Sequence, residues 1–332
     1  MRQTSFMGRL TSVLCMLWLS TSYVLADEIR PGYLQFDQLD DQHWQLTWRF
    51  PSNDFIRTDL SPTLPGTCRF TEQPLVSRDL KSITSKASVY CADSVEGELI
   101  GYPALNSSQS EVYLRVAKLG QATFFDRLTP SRPLSTIPEA GNKTSVASTY
   151  LLIGAEHILM GYDHLLFVVA LVILLGKTVV IIKAATAFTV AHSITLIGTS
   201  LGFVGLPQSP VEAVIALSIV LLAVEIRKKD QPVLLLSKDA PGILAFCFGL
   251  IHGFGFAGAL NEIGLPPEDI TLSLLAFNVG VEVGQLLIIL MTVGVLAVLK
   301  KYAPTLKHAV VTTSTYAIGS VGAYWFLERT VL

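Results

Sequence analysis

The chain has 332 residues, of which 51% are hydrophobic and only 15% charged, and its formal net charge is −2. A mean hydropathy of +0.51 is too high for an ordinary soluble domain and reads as a membrane protein with something soluble attached. With no basic patch, the charge balance argues against a nucleic-acid partner.

Residues 1–26 are expected to be a secretory signal peptide. Arg2 and Arg9 supply a positive start, Leu10 to Leu25 an apolar core, and Val24-Leu25-Ala26 small residues before Asp27. Residues 27–135 change character. Trp44, Leu46, Trp48 and Phe50 alternate with polar residues, as do Val112, Leu114 and Val116. This period of two marks half-buried strands, and closely spaced Pro and Gly punctuate them. The expectation is a small, exported all-β sandwich. Cys68 and Cys91 are the only cysteines in this part. In an exported domain they suggest one disulfide, with two separate thiols as the alternative. Residues 136–148 read as a linker.

Residues 149–332 hold six apolar stretches, at about 149–175, 179–203, 210–227, 241–260, 271–299 and 309–327. Each is long enough for a transmembrane helix. Lys and Arg alternate in the connections: Lys177 and Lys183, then Arg227, Lys228, Lys229 and Lys238, then Lys300, Lys301 and Lys307. The intervening connections carry none. The positive-inside rule then places the β-domain and the C-terminus outside the cytoplasm. The expected class is an α-helical polytopic membrane protein of six spans behind a β-domain. The expected location is a bacterial inner membrane, with the β-domain periplasmic and the lipid bilayer as partner.

The first stretch contains Glu156, His157, Asp163 and His164 in otherwise apolar sequence. Ionisable groups in hydrocarbon cost a few kcal/mol or more, so they mark a functional site or interhelical hydrogen bonding. On a continuous helix His157 and His164 share a face but sit roughly 10 Å apart along the axis. That spacing makes them successive stations rather than two ligands of one ion, unless the helix unwinds near Gly154 or Gly161. Counting from the span ends places Asp163, His164, His192, Ser193, Ser218, His252, Glu282 and Gln285 at one depth, with His157 and Asn278 farther out. Imidazoles with carboxylates suit nickel, cobalt or zinc. The candidate metal ligands are His157, Asp163, His164, His192, His252 and Glu282, with Ser193, Ser218, Asn278 and Gln285 as other polar residues of the site. Thr186, Thr189 and Thr195 read as packing or back-bonding hydroxyls. Glu212 and Glu225 read as interfacial.

Four segments together resemble the HupE/UreJ family over about residues 148–300. They are His157-x5-Asp163-His164, Ala187-Phe-Thr-Val-Ala-His192-Ser193-Ile-Thr195, Phe248-Gly-Leu-Ile-His252-Gly-Phe-Gly and Phe277-Asn278-Val-Gly-Val-Glu282-Val-Gly-Gln285. The resemblance implies a nickel permease or an accessory protein of hydrogenase or urease systems. Phe256 and small residues follow His252-Gly253, where the hydrogenase-linked branch has a second histidine and a glutamate. The expected function is a permease or accessory protein for a divalent transition metal, nickel or cobalt first. The alternatives are an intramembrane metal-dependent hydrolase and a non-transporting maturation accessory whose β-domain binds an exported partner. No nucleotide-binding signature is present.

Overall fold

Alternating burial along Trp44, Leu46, Trp48 and Phe50 builds the centre of the β-domain, because side chains two apart on a strand share a face. The computed structural model describes residues 32–51, 61–79, 82–107, 111–121, 123–139, 143–228, 240–263 and 270–331. The expected signal peptide lies outside these residues. Strand β1 (Gly32–Gln38) pairs antiparallel with β2 (His43–Pro51), Leu34 opposite Trp48. It also pairs parallel with β7 (Val112–Ala117), Leu34 opposite Leu114. The other strands are β3 (Cys68–Phe70), β4 (Leu75–Arg78), β5 (Ser82–Cys91), β6 (Leu99–Gly101), β8 (Phe124–Leu128) and β9 (Leu134–Thr136). The main sheet runs β3-β5-β2-β1-β7-β8, with β4 also on β5.

The N-terminal region is β-rich, and its two sheets are very unequal. Seven strands form one sheet, and β6 with β9 forms a two-stranded ladder. The inner face of the large sheet, with Leu34, Phe36, Trp48 and Leu114, packs with Ile100 of the ladder and with Tyr102, Leu105 and Ile137. The opposite face is not left to solvent. Tyr33, Tyr113 and Phe125 join a second core with Val146, Tyr150 and Ile153 of the first helix. Cys68 and Cys91 face each other across β3 and β5 and are disulfide-bonded.

Seven α-helices follow among the described residues: α1 (Lys143–Met160), α2 (Tyr162–Leu175), α3 (Thr178–Ser200), α4 (Gln208–Arg227), α5 (Pro241–Ile263), α6 (Ile270–Tyr302) and α7 (Pro304–Thr330). The expected first span is two helices, bent by 70° at Gly161. α3, α4 and α6 are long and apolar enough to cross a membrane, and the bent pair makes a fourth if counted as one span. α5 contributes a shorter apolar helix over Pro241–Phe256. The expected linker is also shorter than the sequence suggests. Strand β9 reaches Thr136, Ile137 is buried in the β-domain core, and α1 begins at Lys143.

Small residues set the helix spacing. A Cβ on Gly253 would strike Thr195 Oγ1 and the His192 carbonyl, so α5 lies directly against α3 at the level of two site histidines. A Cβ on Gly154 would strike the Phe277 carbonyl, so α1 lies as closely on α6. At the far end, Arg329 of α7 pairs with Glu212 of α4 at 3.3 Å. Glu212 is thus an interhelix partner, and Glu225, near the other end of α4, is buried at 1% exposure.

Candidate metal centre

The break at Gly161 decides the geometry of the site. Its backbone is extended, with φ −71° and ψ 98°, and caps α2. A Cβ there would lie 2.6 Å from the His157 carbonyl, 3.0 Å from His164 Nδ1 and 3.2 Å from Asp163 Oδ1. Only glycine fits between those groups. The bend turns the axis of α2 by 70° from that of α1. The His157 and His164 ring centroids are therefore 4.5 Å apart. The separate outward station expected for His157 does not exist, because it assumed one continuous helix.

His192 comes from α3, with its ring centroid 5.9 Å from His157 and 6.0 Å from His164. His252 comes from α5, 4.9 Å from His164. The expected ligands form two overlapping triads. In His157, His164 and His192, donor atoms lie within 4.8 Å of one another, and the same holds for Asp163, His164 and His252. Ligands about 2 Å from a tetrahedral ion sit about 3.3 Å from each other, so either triad could close on an ion by modest side-chain shifts. His164 belongs to both.

Asp163 Oδ1 accepts from the His164 backbone N–H at 2.8 Å and lies 3.0 Å from His164 Nδ1. A carboxylate only accepts, so Nδ1 carries the proton and the imidazole lone pair is on Nε2. Asp163 thereby fixes the ring's tautomer, a common arrangement behind metal-bound histidines. Donor atoms also stand buried without hydrogen-bond partners: His157 Nε2, both ring nitrogens of His192, and His252 Nδ1. The Phe256 ring lies tilted against His157 at 3.9 Å, and Phe188 and Phe167 lie 5.0 and 5.3 Å from His252. The imidazoles thus sit in an aromatic shell, where an unsatisfied nitrogen is costly.

The other expected site residues belong to neither triad. Glu282 accepts from Thr186 at 2.6 Å, and Gln285 accepts from Thr189 at 3.0 Å. These hydroxyls link α3 to α6 rather than serving only their own helix. Glu282 belongs to neither triad, although its Oε2 is buried without a partner. Asn278 donates to the Leu274 carbonyl and faces His192 without closing a well-shaped hydrogen bond. Ser193 donates to the Thr189 carbonyl of its own helix at 2.7 Å. Ser218 of α4 donates to the Ile215 carbonyl and lies 3.4 Å from His252 Nε2.

One polar cluster beside the site is not foreshadowed by local pattern. Glu156, next to His157, pairs with Arg127 of β8 at 2.5 Å and accepts from the Tyr113 hydroxyl of β7 at 3.3 Å. Arg127 also forks onto both oxygens of Glu111, at 2.5 and 2.7 Å. Its hydrogen bonds to Glu111 hold the guanidinium proton more tightly than usual, and burial pushes the Tyr113 hydroxyl up from its ordinary value. Arg127 stands 29 residues before Glu156, so no helical or strand spacing relates them.

A family model described as HupE / UreJ protein matches residues 135–329, more than half of the chain. The match covers all seven helices and stops short of most of the β-domain. A comparison with curated proteins gives no match.

Proposed function

The chain belongs to the HupE/UreJ family, and from that premise we propose that it is a permease for a divalent transition metal, nickel or cobalt foremost. The observation that carries this reading is the convergence of four imidazoles and one carboxylate from α1, α2, α3 and α5 into two triads sharing His164. Imidazole-rich sites suit nickel, cobalt and zinc. Buried, unpartnered nitrogens in an apolar bundle are expensive unless something occupies them in turn.

The metal is the cargo. While Asp163 holds the Nδ1 proton of His164, Nε2 is the nitrogen His164 offers to His157 and His192, and Asp163 must release that hydrogen bond to become a ligand itself. The triads therefore act as alternatives, and one ion steps from His157 and His192 to Asp163 and His252 while His164 stays bound. Two weak overlapping sites let an ion enter and leave, which one closed cage does not. The bent α1–α2 pair is a discontinuous helix of the kind that lines transporter sites. Six membrane crossings with the β-domain and C-terminus on the periplasmic side fit the alternation of Lys and Arg along the chain.

The test is uptake of radioactive nickel or cobalt into vesicles carrying the full chain, with metal analysis of the purified protein. Uptake above empty vesicles is expected. Metal binding without uptake favours the maturation accessory. The hydrolase alternative draws on Ser218 beside His252 at 3.4 Å, and metal-dependent cleavage of a lipid ester or amide lost in Ser218→Ala would favour it.

A further inference from the structure

We infer that the β-domain is a working part of the metal site, because Arg127, Glu111 and Tyr113 clasp Glu156 and so position the last turn of α1 and its His157. The inference rests on the metal-handling reading of the histidine cluster, and extends the site to a domain none of whose described residues belongs to either triad.

Three observations converge on α1. The first is the clasp. Arg127 bridges Glu156 and Glu111, and Tyr113 donates to the second oxygen of Glu156. The side chains of Arg127, Glu156 and Glu111 are 33%, 30% and 32% exposed. A forked guanidinium between two partly buried carboxylates fixes direction as well as distance, unlike a lone surface ion pair. The second is apolar. Val146, Tyr150, Ile153 and His157 lie at helical spacings of four, three and four, one face of α1. Tyr150 meets Phe125 of β8 edge-on at 5.5 Å, and Tyr33 and Tyr113 join the same core. The third is the connection between the domains. Lys118 Nζ donates to Glu96, to the Pro138 carbonyl and to the Glu139 carbonyl, at 2.8, 3.0 and 2.8 Å. The chain is therefore pinned to the β-domain until four residues before α1 begins.

These contacts hold both the rotation and the axial register of α1. His157 follows Glu156 in the chain, so any rotation that releases Glu156 swings His157 away from His164 and His192. Asp163 and His164 lie beyond the bend in α2, and His252 is on α5. The clasp should therefore govern the His157, His164, His192 triad and leave the Asp163, His164, His252 triad in place. Arg127, Glu111 and Tyr113 are positioning residues, since none of them is a member of either triad.

The test uses the full chain in detergent with two readouts. Amide hydrogen exchange over residues 150–161 reports α1 without any metal. A cobalt(II) titration, followed by the visible absorption bands of the bound ion, reports the ligand set. Arg127→Ala is expected to speed exchange over 150–161 by about tenfold or more, the scale of losing a charge-assisted hydrogen bond. It should also weaken cobalt binding by about tenfold or more and change the band shape. Arg127→Lys and Tyr113→Phe should give smaller effects in the same direction. Asp40→Ala, which breaks the exposed Asp40–His43 pair at the β1–β2 turn, should leave both readouts at the wild-type level. Unchanged exchange over 150–161 in Arg127→Ala overturns the clasp, as does the same change in Asp40→Ala. If Arg127→Ala does not fold, Tyr113→Phe and Arg127→Lys decide on the same criteria. A wild-type protein that shows no cobalt bands defeats the metal reading instead, while exchange still decides whether the clasp holds α1.

Discussion

The β-domain and the helical bundle treat buried polar groups in opposite ways. In the β-domain charges are matched: Arg115 with Asp37, Lys118 with Glu96, Arg127 with Glu111, Arg132 with Asp126. Among the described residues its buried unpartnered atoms are scattered, one indole nitrogen of Trp48 and one guanidinium nitrogen of Arg115. In the bundle four such atoms cluster on His157, His192 and His252, around one point, and others lie on Ser200, Ser273, Asn278, Glu282 and Trp325. A structural domain satisfies its polar atoms internally, whereas a site for a passing ion leaves donors open. The contrast argues that the bundle carries the chemistry and the β-domain the geometry.

The sharpest way to break this contrast is to remove the shared imidazole. His164→Ala is expected to lower metal uptake by about 100-fold or more, beyond the 10- to 100-fold typical of residues behind the ligands. His192→Ala and His252→Ala each remove one triad and should cost less than His164→Ala in the same vesicles. Equal losses from all three would mean one closed site rather than two overlapping ones.

The opposite perturbation acts on the β-domain alone. Replacing both Cys68 and Cys91 with Ser opens a loop spanning 23 residues and should destabilise the domain by about 3 kcal/mol. Thermal unfolding of the two forms under non-reducing conditions measures this. At temperatures where the domain remains folded, cobalt affinity should stay at its wild-type value.

Gly161→Ala tests the hinge between the triads. The new methyl would meet the His157 carbonyl and His164 Nδ1 at 2.6 and 3.0 Å, and overpacking of this kind costs about 1–3 kcal/mol. A lower midpoint in chemical denaturation is expected, together with an altered cobalt spectrum.

The smallest effect expected is a pH dependence confined to the β-domain. The hydrogen bond from Lys118 holds Glu96 below its ordinary value of 4.5. A lowered carboxylate adds stability that is complete above its unfolded value and fades as pH falls through its folded value. The unfolding temperature of the β-domain should therefore drop as pH goes below about 4.5, and Lys118→Met should flatten that slope. Asp37 works the other way, since burial raises it despite Arg115. No change of slope in Lys118→Met would remove Glu96 from the account.

Much of this molecule was legible because the signals are local. A period of two located β1, β2 and β7, and long apolar runs located α3, α4 and α6, since burial repeats with the geometry of each element. The ligands of both triads stood out as ionisable residues in apolar sequence. So did the two cysteines of the disulfide. Glu282 also stood out, but depth along a helix says nothing about which neighbour its face meets, and that neighbour is Thr186.

By itself, then, the sequence determined the element types, the β-then-helix order, the family resemblance and the set of candidate ligands, because each depends on residues close together in the chain. Only the tertiary structure decided which ligands meet. The 70° bend at Gly161 turns a separation of about 10 Å along a straight helix into ring centroids 4.5 Å apart. It also decided that Arg127 reaches Glu156 and that the outer face of the large sheet rests on α1. Such contacts join residues that no helical or strand period relates, and they exist only once the chain has packed.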